Sequence, residues 1–255
     1  MTQKIALVTG GGKRLGAKIA SALGEDGWHV LVHYRSSARE ADAVAAEIRD
    51  AGGSAETVGF DLSEIAEVKA FMRGLGRVDA LINSASMFEM DRPEDVEHTQ
   101  IETMMRANLA APVLLVSAMA EHHTERASGC VINMLDQKLF NLNPDFFSYT
   151  LSKAALHAAT TTMAMAFAPR VRVNAIAPGI TLPSGGQSAE EFERAHRLNP
   201  MQGGSTPEDL IRAMRFILAT SSMTGETVIV DGGQHLDARN SDVMYAAGVP
   251  EDGQE

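Results

Sequence analysis

Seven short apolar runs are spaced along the chain, and the first six are each followed by a longer stretch of helical composition. Runs that are apolar throughout, without alternating polar residues, are typical of parallel strands covered by helices on both faces. Strands that alternate with helices along a chain favour one doubly wound α/β sheet. The predicted strands lie at 4–10, 28–34, 56–60, 78–82, 130–134, 171–176 and 227–230.

The stretches between these runs predict the helices and the domain organisation. Predicted helices lie at about 16–26, 38–51, 64–75, 99–120, 146–168, 189–197 and 207–219. With no internal repeat and no linker, the pattern predicts a single Rossmann-type domain over residues 1–236. Residues 182–206 are rich in Gly, Ser and Pro and have the composition of a mobile lid over a substrate. The polar tail, residues 237–255, shows no periodicity that predicts structure.

Composition and charge exclude several classes of function. Of the 255 residues, 45% are apolar and 22% charged, as in ordinary globular proteins. The net charge of −11 argues against general binding of nucleic acid, which needs a basic face. The N-terminus passes directly into a strand pattern, and no apolar run approaches the roughly 18 residues of a membrane span. We therefore expect neither a signal peptide nor a membrane anchor, and a cytoplasmic location.

The cysteine and histidine content gives no metal site. Cys130 is the one cysteine and lies inside a predicted strand, where a small buried side chain is expected. It leaves no disulfide and no zinc site available. His122 and His123 are predicted to cap the end of a helix, because no acid or cysteine is spaced to join them as a ligand.

A glycine-rich turn after the first strand is the first candidate binding site. Gly10 and Gly16 enclose Lys13, Arg14 and Leu15, and the turn opens a helix. Glycine lets the backbone approach a pyrophosphate, and the helix N-terminus directs unpaired N–H groups at it. Tight turns between a strand and a helix also use glycine, so a purely structural turn stays possible here.

The end of the second strand predicts which dinucleotide binds. The strand ends in Tyr34, Arg35 and Ser36 and not in an acidic residue. An acid would pair with the ribose hydroxyls of NAD and repel a 2′-phosphate, whereas an arginine and a hydroxyl favour that phosphate. The alternative is that Arg35 is a solvated loop charge and that Ser36 or Ser37 caps the next helix. The tip of this strand predicts NADPH as the cofactor.

Tyr149 and Lys153 are the candidate catalytic pair. They lie four residues apart in a helical stretch without internal Pro or Gly, and therefore on one helix face. An ammonium group beside a phenol favours the phenolate, which would lower the pKa of Tyr149 toward neutrality and make it a usable acid. A chance surface pair at this spacing is the alternative. Asp136, two residues after the predicted strand 130–134, would face the same edge of the sheet.

These motifs, in this order, resemble the short-chain dehydrogenase/reductase family over about residues 4–236. The family's Thr-Gly-x-x-x-Gly-x-Gly turn is present with Arg14 in place of its middle glycine. Its Tyr-x-x-x-Lys motif corresponds to Tyr149 and Lys153, and its strand-end serine is replaced by Asp136. Where the family has Asn-Asn-Ala-Gly, the chain has Asn83-Ser84-Ala85-Ser86, which departs at the second position and, with Ser86, at the fourth.

The resemblance implies roles for further residues. Asp61 and Leu62 would contact adenine, although Asp61 also suits a helix cap. Asn108 would hold a water of the proton relay, although a buried asparagine bonded to the backbone would look identical in sequence. The resemblance also implies a homotetramer. The residues expected to bind NADPH are Gly10, Lys13, Arg14, Leu15, Gly16, Tyr34, Arg35, Ser36, Asp61, Leu62, Asn83, Ala85, Ser86, Tyr149, Lys153, Pro178, Gly179 and Thr181.

Four residues resemble the pteridine reductase branch of the family, which includes the dihydromonapterin reductases: Arg14, Ser86, Phe88 and Asp136. In that reading, Phe88 stacks on a flat pterin beside the nicotinamide; the alternative is a hydrophobic plug under its loop. The predicted substrate is a dihydropterin or dihydrofolate, bound by these four residues and Tyr149. Asp136, Tyr149, Lys153 and Asn108 would form the catalytic set.

Two other functions fit parts of the pattern. The same machinery could reduce a ketone or aldehyde, but a carboxylate is a poor donor to a developing alkoxide unless it is held protonated. A non-catalytic nucleotide-binding regulator could share the fold. The presence of both Tyr149 and Lys153 disfavours that alternative.

Overall fold

A seven-stranded parallel sheet forms the centre of the protein, with strand order β3-β2-β1-β4-β5-β6-β7. The computed structural model describes residues 3–184 and 187–246. The order reverses direction between β1 and β4, which opens a crevice at the carboxyl ends of these strands. The prediction of a doubly wound α/β fold is confirmed. The strands are β1 (Ile5–Val8), β2 (His29–Tyr34), β3 (Ser54–Gly59), β4 (Ala80–Asn83), β5 (Gly129–Met134), β6 (Val171–Pro178) and β7 (Thr227–Val230).

Helices cover both faces of the sheet, which explains why the strands are apolar throughout. In β1, Ala6 and Val8 face a cluster with α1, α2 and α8, whereas Leu7 faces a cluster with α3, α5 and α6. The helices are α1 (Arg14–Glu25), α2 (Ala38–Asp50), α3 (Val68–Gly74), α4 (His98–Met105), α5 (Ala111–Met119), α6 (Phe147–Phe167), α7 (Ala189–Arg197), α8 (Pro207–Ala219) and α9 (Val243–Ala246).

The helix predicted over 99–120 is interrupted. A π-helical turn, Arg106–Ala110, separates α4 from α5. Pro112 lies in the first turn of α5. It has no N–H to donate to the carbonyl of Asn108, four residues earlier, and its ring crowds that carbonyl, so the helix widens there. The helix predicted over 64–75 is also shorter, because turns occupy its first residues and α3 begins at Val68.

One helical stretch qualifies the expectation that no segment resembles a membrane span. His98–His122 has the length and the hydropathy, 1.3, of such a span, and half of that window is buried inside the fold. Leu115 and Met119 are fully buried in the core cluster that packs on β1, β4 and β5. The core position of these side chains accounts for much of the apolar composition of this stretch.

Candidate active site

A cleft of about 690 Å³ opens at the carboxyl ends of the strands. Its size is that of a small-molecule or cofactor site. It is lined by the predicted residues Gly10, Lys13, Arg14, Leu15, Gly16, Tyr34, Arg35, Ser36, Asp61, Leu62, Ala85, Ser86, Phe88, Asp136, Tyr149, Lys153, Pro178, Gly179 and Thr181. Asn83 and Asn108 are the two predicted site residues that do not line it.

Tyr149 and Asp136 form a direct hydrogen bond in the cleft. The phenol Oη donates to Oδ2 of Asp136 at 2.8 Å. The other carboxylate oxygen, Oδ1, accepts the backbone N–H of Lys138 at 2.9 Å, which fixes the orientation of the carboxylate. Asp136, just after β5, and Tyr149, in the first turn of α6, therefore share one proton inside the cleft.

Burial sets the pKa values of this pair, and it overturns one expectation. Desolvation raises the pKa of Asp136. Desolvation and the adjacent Asp136 carboxylate raise the pKa of Tyr149 well above its usual range, whereas the sequence predicted a lowered value. A carboxylate that accepts the phenol proton stabilises the neutral phenol. The phenol is therefore neutral near neutral pH, and its proton lies in the hydrogen bond to Asp136.

Lys153 does not contact the phenol oxygen. Its Nζ donates to the carbonyl of Met134 at 2.7 Å and lies 5.6 Å from the centroid of the Tyr149 ring. Burial lowers the pKa of Lys153 to about 8. The ammonium group is thus held at the end of β5 below the tyrosine, within the same cleft.

The start of α6 is held by a residue that the sequence did not reveal. Phe146, which precedes the helix, has a left-handed backbone and provides no side-chain cap. The buried carboxylate of Asp91 instead accepts the N–H of Ser148, at 3.0 and 3.3 Å to its two oxygens. The carbonyl of Asp91 accepts the N–H of Phe147 at 3.1 Å. Asp91 thereby positions the residue next to Tyr149.

The side chain of Asn108 is fully hydrogen-bonded, whereas that of Asn83 uses its Nδ2 and leaves its buried Oδ1 without a protein partner among the described residues. Nδ2 of Asn108 donates to the carbonyl of Met87 and to Oγ of Ser152, while its Oδ1 accepts the N–H of Met87 and the hydroxyl of Ser86. All four hydrogen-bonding positions of this amide are therefore in use. Nδ2 of Asn83 donates to Asn133 Oδ1 at 2.8 Å inside the sheet. Neither side chain lines the cleft, and their predicted roles toward a water and the cofactor stay predictions.

Two positions of the glycine-rich turn leave no room for a side chain, because the protein backbone packs closely there. A Cβ atom on Gly16 would lie 2.2 Å from the carbonyl oxygen of Gly10, and one on Gly10 would lie 3.1 Å from the backbone of Ala85. Arg14, at the middle glycine position of the motif, keeps a left-handed backbone with φ 51°. An arginine in that region costs on the order of 1 kcal/mol of strain. A strained arginine at the mouth of the cleft favours a binding role over a structural turn.

His33 supports this turn from below. Its Nδ1 accepts the N–H of Gly10 at 3.2 Å, and its Nε2 bonds to the carbonyl of Phe60 at 3.0 Å. Burial lowers the pKa of His33 to about 4. The imidazole is therefore neutral at physiological pH, with the proton on Nε2, and links three strands.

The tip of β2 leaves its basic and hydroxyl groups exposed at the cleft. Arg35 and Ser36 are exposed, and Ser37 occupies the N-cap position of α2 without a side-chain capping bond, contrary to the capping alternative. Lys13 instead pairs with Glu40 of α2 at 2.7 Å. Asp61 Oδ1 accepts the N–H of Ser63 at 2.9 Å and forms a local turn, but Glu67 occupies the N-cap of α3, so the alternative of Asp61 as a helix cap is wrong.

A family model for short chain dehydrogenases matches residues 4–194 of this sequence. The chain belongs to the short-chain dehydrogenase family. It is an oxidoreductase whose cofactor is NADPH, and the glycine-rich turn, the tip of β2 and the Pro178-Gly179 turn are the parts of the cleft that fit it. The alternative of a non-catalytic regulator gains no support from this family.

Three proteins of known name are similar in sequence to this short-chain dehydrogenase. A solved structure of FolM alternative dihydrofolate reductase 1 from Brucella canis, complexed with NADP, is 40% identical with a TM-score of 0.86, covering 94% of this chain and 96% of that one. The dihydromonapterin reductase of Enterobacter sp. (strain 638) is 30% identical over 92% of this chain and 98% of its own length. The 3beta-hydroxysteroid dehydrogenase 1 of Eggerthella lenta is 34% identical, over 91% and 94%.

Phe88 is placed where a flat ligand could lie against it. Its ring is 42% exposed, stacks on Phe146 at 4.1 Å between centroids and meets Tyr149 edge-on at 4.7 Å. Phe88 is therefore partly packed, as a hydrophobic plug would be, and still exposed enough to contact a ligand. Ser86 lies on the same loop, which the amide of Asn108 braces.

Residues near the C-terminus complete the cleft of this short-chain dehydrogenase. Asp242, Val243 and Met244 line it, although the sequence predicted only an unstructured polar tail there. The short apolar run 243–247 gives no periodic signal, so its role depends on tertiary contacts. The tail residues 247–255 lie outside the described part of the chain.

Proposed function

We propose that this short-chain dehydrogenase reduces a dihydropterin to its tetrahydro form with NADPH. The observation that carries the proposal is the hydrogen bond of 2.8 Å between Tyr149 and the carboxyl group of Asp136, the position at which the family resemblance expects a serine. The similarity to proteins named dihydrofolate reductase and dihydromonapterin reductase supports it. Dihydromonapterin, a dihydrobiopterin-like compound and dihydrofolate are the candidate substrates.

The chemistry of the substrate matches a carboxyl group better than a hydroxyl group. The nicotinamide supplies hydride to a ring carbon when it is bound. The adjacent ring nitrogen must then gain a proton, which the Tyr149–Asp136 pair can deliver because burial keeps it protonated. Lys153, held by Met134, keeps a positive charge beside the pair and would bind the nicotinamide ribose.

The walls of the cleft suit a flat, polar bicyclic ring. Phe88 offers an exposed aromatic face next to Tyr149, on which a pterin could stack. Arg14 and Ser86 line the same cleft and offer a guanidinium and a hydroxyl group to the polar edge of the ring and to the cofactor phosphates. These are the contacts we assign to substrate recognition.

A carbonyl reductase is the second candidate, because the similarity to a hydroxysteroid dehydrogenase is of comparable strength. Initial rates with NADPH across a panel of dihydropterins, dihydrofolate and simple ketones separate the two. We expect turnover of at least one dihydropterin to exceed that of every ketone. Ketone reduction without measurable dihydropterin reduction would refute the proposal.

The preference for NADPH gives the first testable prediction. Arg35→Asp should weaken NADPH binding by about 2 kcal/mol or more, roughly 30-fold, because a charge-assisted contact is lost and repulsion is added. The affinity for NADH should change less, so the difference in affinity between NADPH and NADH becomes smaller. Titration of both cofactors by protein fluorescence measures the effect.

Arg126→Asp is the matched control for this change in charge. Arg126 is exposed in the loop that precedes β5, at the amino end of the sheet and opposite the cleft. It should leave both affinities at the parent values. Equal affinities for NADPH and NADH in the parent protein would show that the tip of β2 has been misinterpreted.

We further propose that residues 1–236 form one domain and that residues 182–206 act as its substrate lid. Leu182, Ser184 and Gln187 line the cleft, while residues 185–186 of this segment lie outside the described residues.

Exposed Leu151 and Met165 on α6 favour the proposed homotetramer, because they leave apolar surface for a neighbouring subunit. We also propose that the protein is located in the cytoplasm.

A further inference from the structure

The chain forms one wall of the cleft with residues far from the family motifs. We define the C-terminal wall as residues 242–245. Its Met244 and Tyr245 pack on a cluster formed by Met104, Phe146 and Tyr149. The Tyr245 ring lies nearly parallel to that of Phe146, with 6.3 Å between the centroids. The wall thus touches the aromatic groups that surround the catalytic tyrosine.

A buried ion pair holds this wall in place. Nζ of Lys138 lies 3.0 Å from Oδ2 of Asp242, and the two side chains are 3% and 13% exposed. Lys138 also donates to Asn143, and the N–H of Asp242 donates to Asp145 Oδ2 at 2.7 Å. Oδ1 of Asp242 accepts the N–H of Met244 at 3.1 Å, which orients the wall residue itself.

The same lysine connects the wall to the catalytic carboxylate. The backbone N–H of Lys138 fixes Asp136, while its side chain fixes Asp242. Lys138 follows β5, whereas the glycine-rich turn follows β1, two strands away in the sheet. The wall therefore borders the part of the cleft that is beyond Tyr149 and away from the phosphate-binding turn.

The chemistry of the wall indicates what it contacts. Met244 faces the cleft that Met87 and Phe88 also line. Thioether side chains are flexible and polarizable, and they pack well against aromatic groups of varied shape. A flat ring held between the cofactor and Phe88 would direct its substituent out of the stack, toward this surface.

We propose that the C-terminal wall is a specificity determinant that contacts the substituent of the substrate ring, and that Lys138 and Asp242 are its positioning residues. Met244 selects substrates with an aromatic or apolar substituent over the bare ring. The choice of a pterin ring rests on the function proposed above. The wall itself would act in the same way on any substrate that binds against Phe88.

Met244→Ala tests the contact directly. In the parent and in the variant, kcat/KM is measured with dihydrofolate, which carries an aromatic substituent, and with unsubstituted dihydropterin. We expect the ratio of these two values to fall about tenfold in the variant, as is usual for the loss of an apolar pocket contact. The dissociation constant of NADPH should stay within about twofold of the parent. An unchanged ratio would overturn the proposal.

Lys138→Met tests whether the ion pair with Asp242 holds the C-terminal wall in place. It should lower the same ratio at least as far as Met244→Ala does, because the whole wall loses its attachment and Asp242 is left buried without its partner. Adding Asp242→Asn should recover part of the ratio, since the uncompensated charge is removed. No loss in the single variant, or no recovery in the double variant, would refute the positioning role. Arg73→Met, which breaks the exposed ion pair with Glu121, is the matched control and should keep the parent ratio.

The same experiments distinguish a failure of the proposed dihydropterin reduction from a failure of the C-terminal wall as a specificity determinant. If the parent reduces no dihydropterin, that function is wrong, and the wall is then tested with the ketones that the parent does reduce, paired as aryl-substituted and methyl ketones. If Lys138→Met does not fold, as judged by a lost thermal transition, Met244→Ala decides the proposal. Loss of NADPH binding in Met244→Ala would also overturn it, since the wall would then belong to the cofactor site.

Discussion

Tyr149→Phe should reduce kcat by about 10²- to 10⁴-fold, the usual cost of losing a general acid, while NADPH binds nearly as in the parent. The phenol hydroxyl is the group that shares a proton with Asp136 in the cleft, and phenylalanine keeps the ring that packs on Phe88. The fold and the cofactor site therefore stay intact while the proton is lost. Steady-state rates and a fluorescence titration of NADPH measure the two quantities.

Lys153→Ala is the informative comparison for this prediction. It should lower both kcat and the affinity for NADPH, because the lysine lies beside the tyrosine and, in the proposed function, would bind the nicotinamide ribose. A Tyr149→Phe variant that retained more than about a tenth of the parent kcat would contradict the role of the phenol as the acid.

Asp136→Ser should lower dihydropterin reduction by at least about 10²-fold and leave ketone reduction unchanged or improved. A pterin needs a proton on a ring nitrogen, for which the buried carboxyl group is suited. A ketone develops an oxyanion, which is stabilised by a neutral hydroxyl donor such as serine. The two substrates therefore need different residues at one position. Parallel kcat/KM measurements with a dihydropterin and a ketone show the change in preference.

Asp136→Asn is the matched variant, because it keeps the size of the side chain and its single amide oxygen can still accept the N–H of Lys138, while its NH2 group faces the Tyr149 oxygen as a donor. It cannot hold or pass a proton, so we expect it to lose dihydropterin reduction to a similar extent. Full activity in the asparagine variant would restrict Asp136 to orienting the tyrosine. Full dihydropterin activity in the serine variant would remove the main chemical support for a pterin substrate.

The sequence alone determined the fold and the location of the cleft. Apolar runs identified the seven strands of the sheet, since strands covered on both faces must be apolar throughout. The carboxyl ends of parallel strands share one edge, so residues that follow them, such as Arg35 and Asp136, had to meet there. The break in the helix at Asn108 was also encoded locally, by Pro112, although the pattern alone suggested a continuous helix.

Only the tertiary structure decided how these groups interact. Burial and the Asp136 carboxylate reversed the expected pKa shift of Tyr149, and Met134 fixed the direction of Lys153. Asp91 holds the start of α6 from 57 residues away in the sequence, and Lys138 holds Asp242 across 104 residues. Such contacts leave no periodic or local signal, because they depend on which side chains the packed core brings together and removes from water.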